Sequence, residues 1–150
     1  MPYKISYMNK GEIVFTNYFG ILTSNDVYAA FDDRFLDIKR IKKMKTIIAD
    51  FADVTESYLE DLDVPRLAGM YRRAASYNPD PEVLVVGIMP TDLLFGIGRM
   101  WEGLIYKIPW KEKIVHTREE ARVFLEENAT DVHPQVIIPE VLPQWAYEAL

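Results

Sequence analysis

Short β-rich runs alternate with longer helical patterns over most of the chain, and this alternation constrains the fold more than any other feature. When a helix separates two strands of one sheet, the strands pair in parallel through a right-handed crossover. The first two β-rich runs differ, because only the turn from Asn9 to Glu12 separates them, which is typical of an antiparallel hairpin. The predicted strands are residues 3–8, 13–19, 46–51, 82–89 and 113–116.

The predicted helices begin at polar residues that can cap them. The first begins at Ser24 and keeps an apolar residue every three or four positions as far as Ile41. The others begin at Asp63, at Thr91 or Asp92, and at the T-x-x-E capping box of Thr117. The element order is then ββαβαβαβα. It predicts an α/β fold with a mixed five-stranded sheet that is antiparallel only at the first hairpin.

Composition narrows the class of protein. The chain has 150 residues, of which 49% are hydrophobic and 27% charged, so one domain with its own core is expected. The net charge of −6 argues against a nucleic-acid partner, since phosphate contacts come from Lys and Arg. The chain has no Cys, which excludes thiol chemistry and suits a reducing compartment. With no signal peptide or membrane-length apolar run, we expect a cytoplasmic protein without membrane insertion.

The last part of the chain differs from the rest. We expect a domain at residues 1–129 and an extended arm at 130–150, because Pro134, Pro139 and Pro143 interrupt an apolar sequence. Such an arm should lie on apolar surface. If that surface belongs to its own chain the protein is a monomer, and if it belongs to a partner the protein is an arm-exchanged homodimer.

The predicted helix from residue 91 or 92 to about residue 108 carries little polar surface. Between Leu93 and Ile108 only Arg99, Glu102 and Lys107 are charged. The arm, a second subunit or a ligand could cover such a helix. Its expected inward side chains are Leu94, Ile97, Met100, Leu104 and Ile105. The side chains expected to line a partner or ligand groove are Phe95, Arg99, Trp101 and Tyr106, with Trp145 from the arm.

Acidic residues gather where the predicted strands end, the edge at which parallel sheets bind ligands. Their loop, residues 51–63, follows a strand, and no Lys or Arg occurs between Thr46 and Pro65. It is interpreted either as a solvated loop that caps the next helix or as a site for a cation or a basic partner. The candidate residues of this acidic strand-end loop include one residue just before it and one residue that follows the next predicted strand. They are Asp50, Asp53, Glu56, Asp61, Asp63 and Asp92.

Catalytic patterns are scarce. Asp50, Asp53 and Asp92 could converge on a metal ion in a metal-assisted hydrolase, but nothing in their spacing requires a metal, and no metal or other cofactor is assigned. No G-x-S-x-G motif is present, and His116 and His133 are the only imidazoles, for which structural roles are favoured. An enzyme is therefore not the expected function.

Three stretches together resemble the SpoIIAA-like branch of the STAS domains, which are grouped with Sec14-type lipid-binding folds. They are the opening hairpin leading to residues 20–23, the strand and loop at 47–54, and residues 95–102 followed by 118–121. The resemblance covers about residues 3–128. It implies a β-α superhelix and a non-enzymatic role in binding a regulatory protein or a small apolar ligand.

The chain departs from that family at the phosphorylation site of the anti-sigma-factor antagonists. The start of the second helix reads Glu60-Asp61-Leu62-Asp63-Val64, without the expected Ser, and Thr55 and Ser57 come earlier. The leading expectation is a non-catalytic regulatory module that binds an unidentified protein partner, as a homodimer. The first alternative is a carrier of a small apolar or lipid-like ligand in a groove beside the helix that begins at residue 91 or 92.

Overall fold

A five-stranded mixed sheet forms the centre of the protein in a computed structural model, which describes residues 2–136 and 138. The strands lie in chain order: β1 (Tyr3–Met8), β2 (Ile13–Thr23), β3 (Thr46–Tyr58), β4 (Leu84–Ile88) and β5 (Lys111–Val115). Only β1 and β2 are antiparallel, and the other neighbours are parallel. The prediction of an α/β fold with this kind of sheet is confirmed.

Five helices cover the two faces of the sheet: α1 (Ser24–Phe35), α2 (Ile38–Ile41), α3 (Val64–Ser76), α4 (Asp92–Leu104) and α5 (Arg118–Asn128). The larger part of the core lies between the sheet and α1, α3 and α4. On the opposite face α5 packs Ala121, Phe124 and Leu125 against β3, β4 and β5. The strand β4 is buried along its whole length, as its apolar sequence predicts.

Three predicted helix caps form. Asp63, Thr91 and Thr117 each accept a hydrogen bond from a backbone N–H three residues later. The first helix is capped one residue earlier than predicted, by Thr23 instead of Ser24. Thr23 and Asp26 form a reciprocal capping box, which satisfies two backbone N–H groups at once.

The first helix is also shorter than predicted. It ends at Phe35, and Asp37 takes an extended conformation and caps the separate short helix α2 by accepting from the N–H of Lys39 at 2.9 Å. A local Asx cap of this kind competes with helix continuation. Ile41 is buried as predicted, but Ile38 stays largely exposed.

The strands β2 and β3 run further than predicted. The second strand was predicted to end at residue 19, before Gly20, but β2 continues to Thr23 through two register shifts, and Gly20 takes a positive φ of 68° there. Such a bulge absorbs an extra residue without ending the pairing. The partner strand β3 continues to Tyr58. The expected acidic loop at residues 51–63 is therefore mostly strand, and only residues 59–63 connect it to α3.

The remaining predictions about the fold concern the helix α4 and the arm. The helix α4 ends at Leu104 instead of about Ile108, and no helix in the described ranges is long and apolar enough to cross a membrane. From the arm, Val136 and Ile138 pack on the same face of the sheet as α5. His133, for which no role was predicted beyond a structural one, contacts the backbone carbonyl of Glu82 at 2.6 Å and so holds the arm.

Candidate functional site

A cavity of about 80 Å³ lies inside the larger core, between the sheet and the helices α1, α3 and α4. Its walls are mainly apolar. They come from the sheet residues Ala49, Phe51 and Val85 and from the helical residues Val27, Leu94 and Ile97. Gly98 brings the backbone of α4 close to the wall, because a Cβ there would lie 2.8 Å from the side chain of Ile114. Polar groups interrupt this apolar lining at Tyr18, Arg34, Tyr71, Trp101 and Glu112.

Glu112 is held at one wall of the cavity by two aromatic donors. The Tyr71 hydroxyl donates to one carboxylate oxygen at 2.8 Å, and the Trp101 indole N–H donates to the other at 2.6 Å. Burial raises the pKa of Glu112 to about 7, and these two hydrogen bonds oppose that shift. The carboxyl group therefore changes charge near neutral pH, and both of its oxygens already have partners.

Arg34, in the last turn of α1, is buried, with only 3% of the residue exposed, although arginine is usually exposed. Its guanidinium lies 4.6 Å from the ring centre of Phe31 and 5.0 Å from that of Phe35, distances typical of cation–π contacts. One terminal nitrogen donates to the Thr16 hydroxyl at 3.0 Å. The buried Nε has no hydrogen-bond partner in the described part of the chain.

Tyr18 places a second unpartnered polar atom in the same cavity. Its ring stacks on Phe51 with centroids 4.2 Å apart, while its hydroxyl is buried and makes no hydrogen bond to a described residue. Burial raises the pKa of Tyr18, and the nearby Arg34 cation lowers it by less. The hydroxyl and the guanidinium thus lie in the same part of the cavity, although no hydrogen bond of normal length joins them.

A separate polar cluster lies on the other face of the sheet, in the middle of β3 and beside the carboxyl end of β4. Asp50 is fully buried and accepts from Arg118 Nε at 2.9 Å and from the backbone N–H of Ala52 at 2.9 Å. Arg118 also pairs with Asp53. Burial raises the pKa of Asp50, and the Ala52 N–H and the Arg118 cation oppose that rise. This cluster fixes the start of α5 to the middle of the sheet.

The structure separates the other predicted acidic residues. Glu56 lies on β3 and accepts from the Tyr58 hydroxyl, Asp61 accepts from the Ser24 hydroxyl at 2.6 Å, and Asp63 caps α3. Asp92 lies in the first turn of α4. Among residues 2–136 and 138, no three Asp, Glu or His side chains are placed to hold one metal ion. Only Asp50 and Asp53 come together, and both contact Arg118.

The predicted groove residues also do not form one groove. Trp101 is buried and lines the interior cavity, whereas Phe95 stacks on His116 with centroids 3.8 Å apart. Arg99 is exposed beside Glu102, and Tyr106 is 74% exposed. Trp145 lies outside the described residues. Met100, expected to face inward, is 55% exposed, because Gly98 and Trp101 take the inner face of α4 instead.

Sequence reasoning missed Tyr18, Arg34, Tyr71 and Glu112 as a group. A signal for Arg34 was present, since it occupies the apolar stripe of α1 seven residues after Val27 and three after Phe31. A charged residue at such a position must find a buried partner or leave the core. The sequence gives a similar signal for Glu112, because it is two residues from the buried Ile114 and therefore lies on the same face of β5.

Comparisons of the chain with protein-family models, with curated proteins and with solved structures gave no match. The resemblance to the SpoIIAA-like domains therefore stays a prediction.

Proposed function

We propose that this protein binds a small, mainly apolar ligand in the interior cavity between the sheet and α1, α3 and α4. The observation that carries the proposal is the cavity itself, whose walls are mainly apolar and carry the polar groups of Tyr18, Arg34, Tyr71, Trp101 and Glu112. Ligand pockets combine a predominantly apolar wall with a few convergent polar groups in this way. Natural cores that bind nothing leave few buried polar atoms without partners.

The resemblance to the STAS domains agrees with a binding role without catalysis. We infer a SpoIIAA-like β-α superhelix, supported by the chain-order arrangement of the parallel strands β2 to β5. We also infer that the protein acts in the cytoplasm. The anti-sigma-type phosphorylation switch is not part of the proposal, because the start of α3 offers Asp63, Val64 and Pro65 instead of a serine.

Benzene tests the proposal, since it is a small apolar molecule that binds engineered apolar cavities in proteins. The melting temperature is measured with and without benzene for the wild type and for two matched variants, Val85→Ile and Val115→Ile. Each variant adds one methylene to a buried strand valine. Val85 lines the cavity, whereas Val115 packs toward α5 on the other face. A ligand that binds only the folded state must raise the melting temperature.

We expect benzene to raise the melting temperature of the wild type and of Val115→Ile, and to have a much smaller effect on Val85→Ile. Equal rises in the two variants would mean that benzene binds elsewhere, which contradicts the proposal. No rise in the wild type would contradict it as well.

A second candidate, homodimer formation, is favoured by the outer face of α4. Leu93 and Met100 are 58% and 55% exposed, and the helix also carries Gly96 and Gly103, where an added Cβ would meet no other atom within 4 Å. Residues at this spacing share one helix face, and apolar surface of that kind is typical of interfaces. Sedimentation equilibrium of the full chain tests this candidate. Dimers that dissociate in Met100→Lys but persist in Val123→Lys would support it, and a monomeric wild type would contradict it.

A further inference from the structure

The charge inside the cavity indicates what kind of ligand it would take. Arg34 is buried, and among the described residues no carboxylate forms an ion pair with it. The neighbouring Asp32 and Asp33 are exposed on the other side of α1. A buried cation without a paired anion is costly, so natural proteins rarely keep one without a purpose.

Glu112 shares the cavity with Arg34 but forms no salt bridge with it. Its two carboxylate oxygens are directed to the Tyr71 hydroxyl and to the Trp101 indole N–H. Protonation of Glu112 also removes its charge over the acidic side of neutral pH. The cation therefore lacks a salt-bridged anion among the described residues, and the cavity beside it is the place from which an anion could reach it.

Two buried donors are available for that anion. Arg34 Nε carries an N–H without a partner, and the Tyr18 hydroxyl nearby has none either. A carboxylate has two acceptor oxygens on one carbon and forms its strongest hydrogen bonds with charged donors. The guanidinium and the phenol could thus each bind one oxygen, while the cation–π contacts to Phe31 and Phe35 fix the guanidinium.

The size of the cavity limits the rest of the ligand. Its volume of about 80 Å³ is roughly half that of an engineered 150 Å³ cavity that binds benzene. The ligand is therefore no larger than about six non-hydrogen atoms, the size of benzene. Its apolar part would contact Phe51, Leu94 and Ile97.

We propose that the cavity binds a short aliphatic carboxylic acid, with its carboxylate on Arg34 and Tyr18 and its alkyl group against the apolar wall. This inference rests on the proposed function, because it names the chemical class of ligand for the same cavity. It goes beyond that function by requiring a negative charge on the ligand.

Isothermal titration calorimetry with isobutyrate and isobutyramide at pH 6 tests the inference, because the two probes have the same shape and differ in charge. We expect the wild type to bind isobutyrate at least tenfold more tightly than isobutyramide. Arg34→Met should abolish this preference. Tyr18→Phe keeps the ring on Phe51 and should reduce the preference severalfold. Arg73→Met, which changes an exposed arginine of α3, is the matched control and should keep it.

Arg34→Met also has a readout that needs no ligand. If Arg34 is kept for binding, its replacement by an apolar chain of similar length should raise the melting temperature, because a buried unpaired charge is removed. If Arg34 has a purely structural role, Arg34→Met should have a lower melting temperature than the wild type. Should Arg34→Met fail to fold, that result would itself assign Arg34 a structural role and overturn the inference.

The remaining outcomes separate the inference from the function on which it rests. Equal binding of isobutyramide and isobutyrate, together with the expected benzene effect, would overturn the carboxylate assignment and leave the apolar binding function standing. Absence of binding by both probes and of any benzene effect would overturn both. Loss of the acid preference in Arg73→Met as well as in Arg34→Met would also contradict a specific role for Arg34.

Discussion

Trp101 donates its indole N–H to Glu112 across 2.6 Å, and this hydrogen bond joins α4 to the edge strand β5 over the cavity. The same carboxylate accepts from Tyr71 on α3, so one side chain links three elements. Charged groups on α1 and α4 also act on it: Glu102 raises the pKa of Glu112 and Arg34 lowers it, both less than burial raises it. The protonation state of Glu112 should therefore be visible in the stability of the whole protein.

The first prediction concerns the pH dependence of that stability. The pKa of Glu112 is about 7 in the folded protein against 4.5 for a free side chain, so the folded state holds the proton more tightly. The contribution of Glu112 to the free energy of unfolding is greatest below pH 4.5. It decreases by up to about 3 kcal/mol as the pH rises to about 7. Glu112→Gln keeps an oxygen acceptor and should remove this fall.

Urea unfolding at pH 5 and pH 8 measures the effect. At pH 8 we expect Glu112→Gln to be more stable than the wild type, and at pH 5 the difference should be small. Glu119→Gln, at an exposed position of α5, serves as the control and should follow the wild type at both pH values. A variant that is less stable than the wild type at pH 8 would show that the ionised carboxylate stabilises the fold.

A second prediction concerns the buried pair on the other face of the sheet. Arg118→Met leaves the Asp50 carboxylate buried without its cation and should lower the free energy of unfolding by about 3 kcal/mol at pH 7. Asp50→Asn in the same chain should restore part of that loss, because the uncompensated charge is gone. Chemical denaturation of both variants measures these changes.

Arg99→Met provides the comparison for Arg118→Met, since Arg99 is exposed and pairs only with Glu102 among described residues. It should change the free energy of unfolding by less than about 1 kcal/mol. Equal losses in Arg99→Met and Arg118→Met would mean that the Asp50–Arg118 contact has no special importance for the fold.

A third prediction concerns Asn78, which follows α3. Its side-chain amide donates to the carbonyl oxygens of Ile41 at 2.8 Å and Met44 at 2.9 Å, and its backbone carbonyl accepts from the Trp110 indole at 2.6 Å. Asn78→Ala removes a donor from both carbonyl groups, of which only that of Ile41 also accepts from the Met44 N–H at 3.2 Å, and should lower the free energy of unfolding by about 2 kcal/mol. The melting temperatures of Asn78→Ala and of the control Asn25→Ala, which changes an exposed asparagine, measure this loss. Similar melting temperatures of the two variants would contradict a structural role for the Asn78 hydrogen bonds.

A fourth prediction follows from the free space beside Val85. Val85→Ile should maintain or raise the melting temperature without ligand, because its added methylene can enter the cavity. Val115→Ile should lower it, since the opposite core is packed against α5 and overfilling a packed core is destabilising. Differential scanning calorimetry of the two proteins compares them. A drop in Val85→Ile as large as that in Val115→Ile would indicate that no space exists beside Val85.

The sheet and the helix starts could be predicted from the sequence because local patterns determine them. Strands without a helix between them form the hairpin, and the caps Asp63, Thr91 and Thr117 act within one turn of their own helices. The bulge at Gly20 could not be predicted in this way. Glycine is compatible with both a strand end and a bulge, and the long pairing of β2 with β3 decides between them.

The cavity could not be predicted for a related reason. Tyr18, Arg34 and Glu112 come from β2, α1 and β5, so only the tertiary structure brings them together. The acidic residues were easier to notice because they are close in sequence. The partner of Asp50, however, is Arg118, which is 68 positions away. Charge patterns along the chain indicate where charges are frequent, whereas burial decides which of them matter.

The most direct test of a ligand site in this cavity is a titration of the labelled wild-type protein with benzene, followed by two-dimensional ¹H–¹⁵N NMR. Binding inside the cavity predicts saturable shifts of the Trp101 indole N–H and of the backbone amides of Gly87 and Gly98, which line it. Amides on the opposite face, such as that of Ala121, should move little. Shifts confined to the α5 face, or no saturable shift at all, would contradict the account.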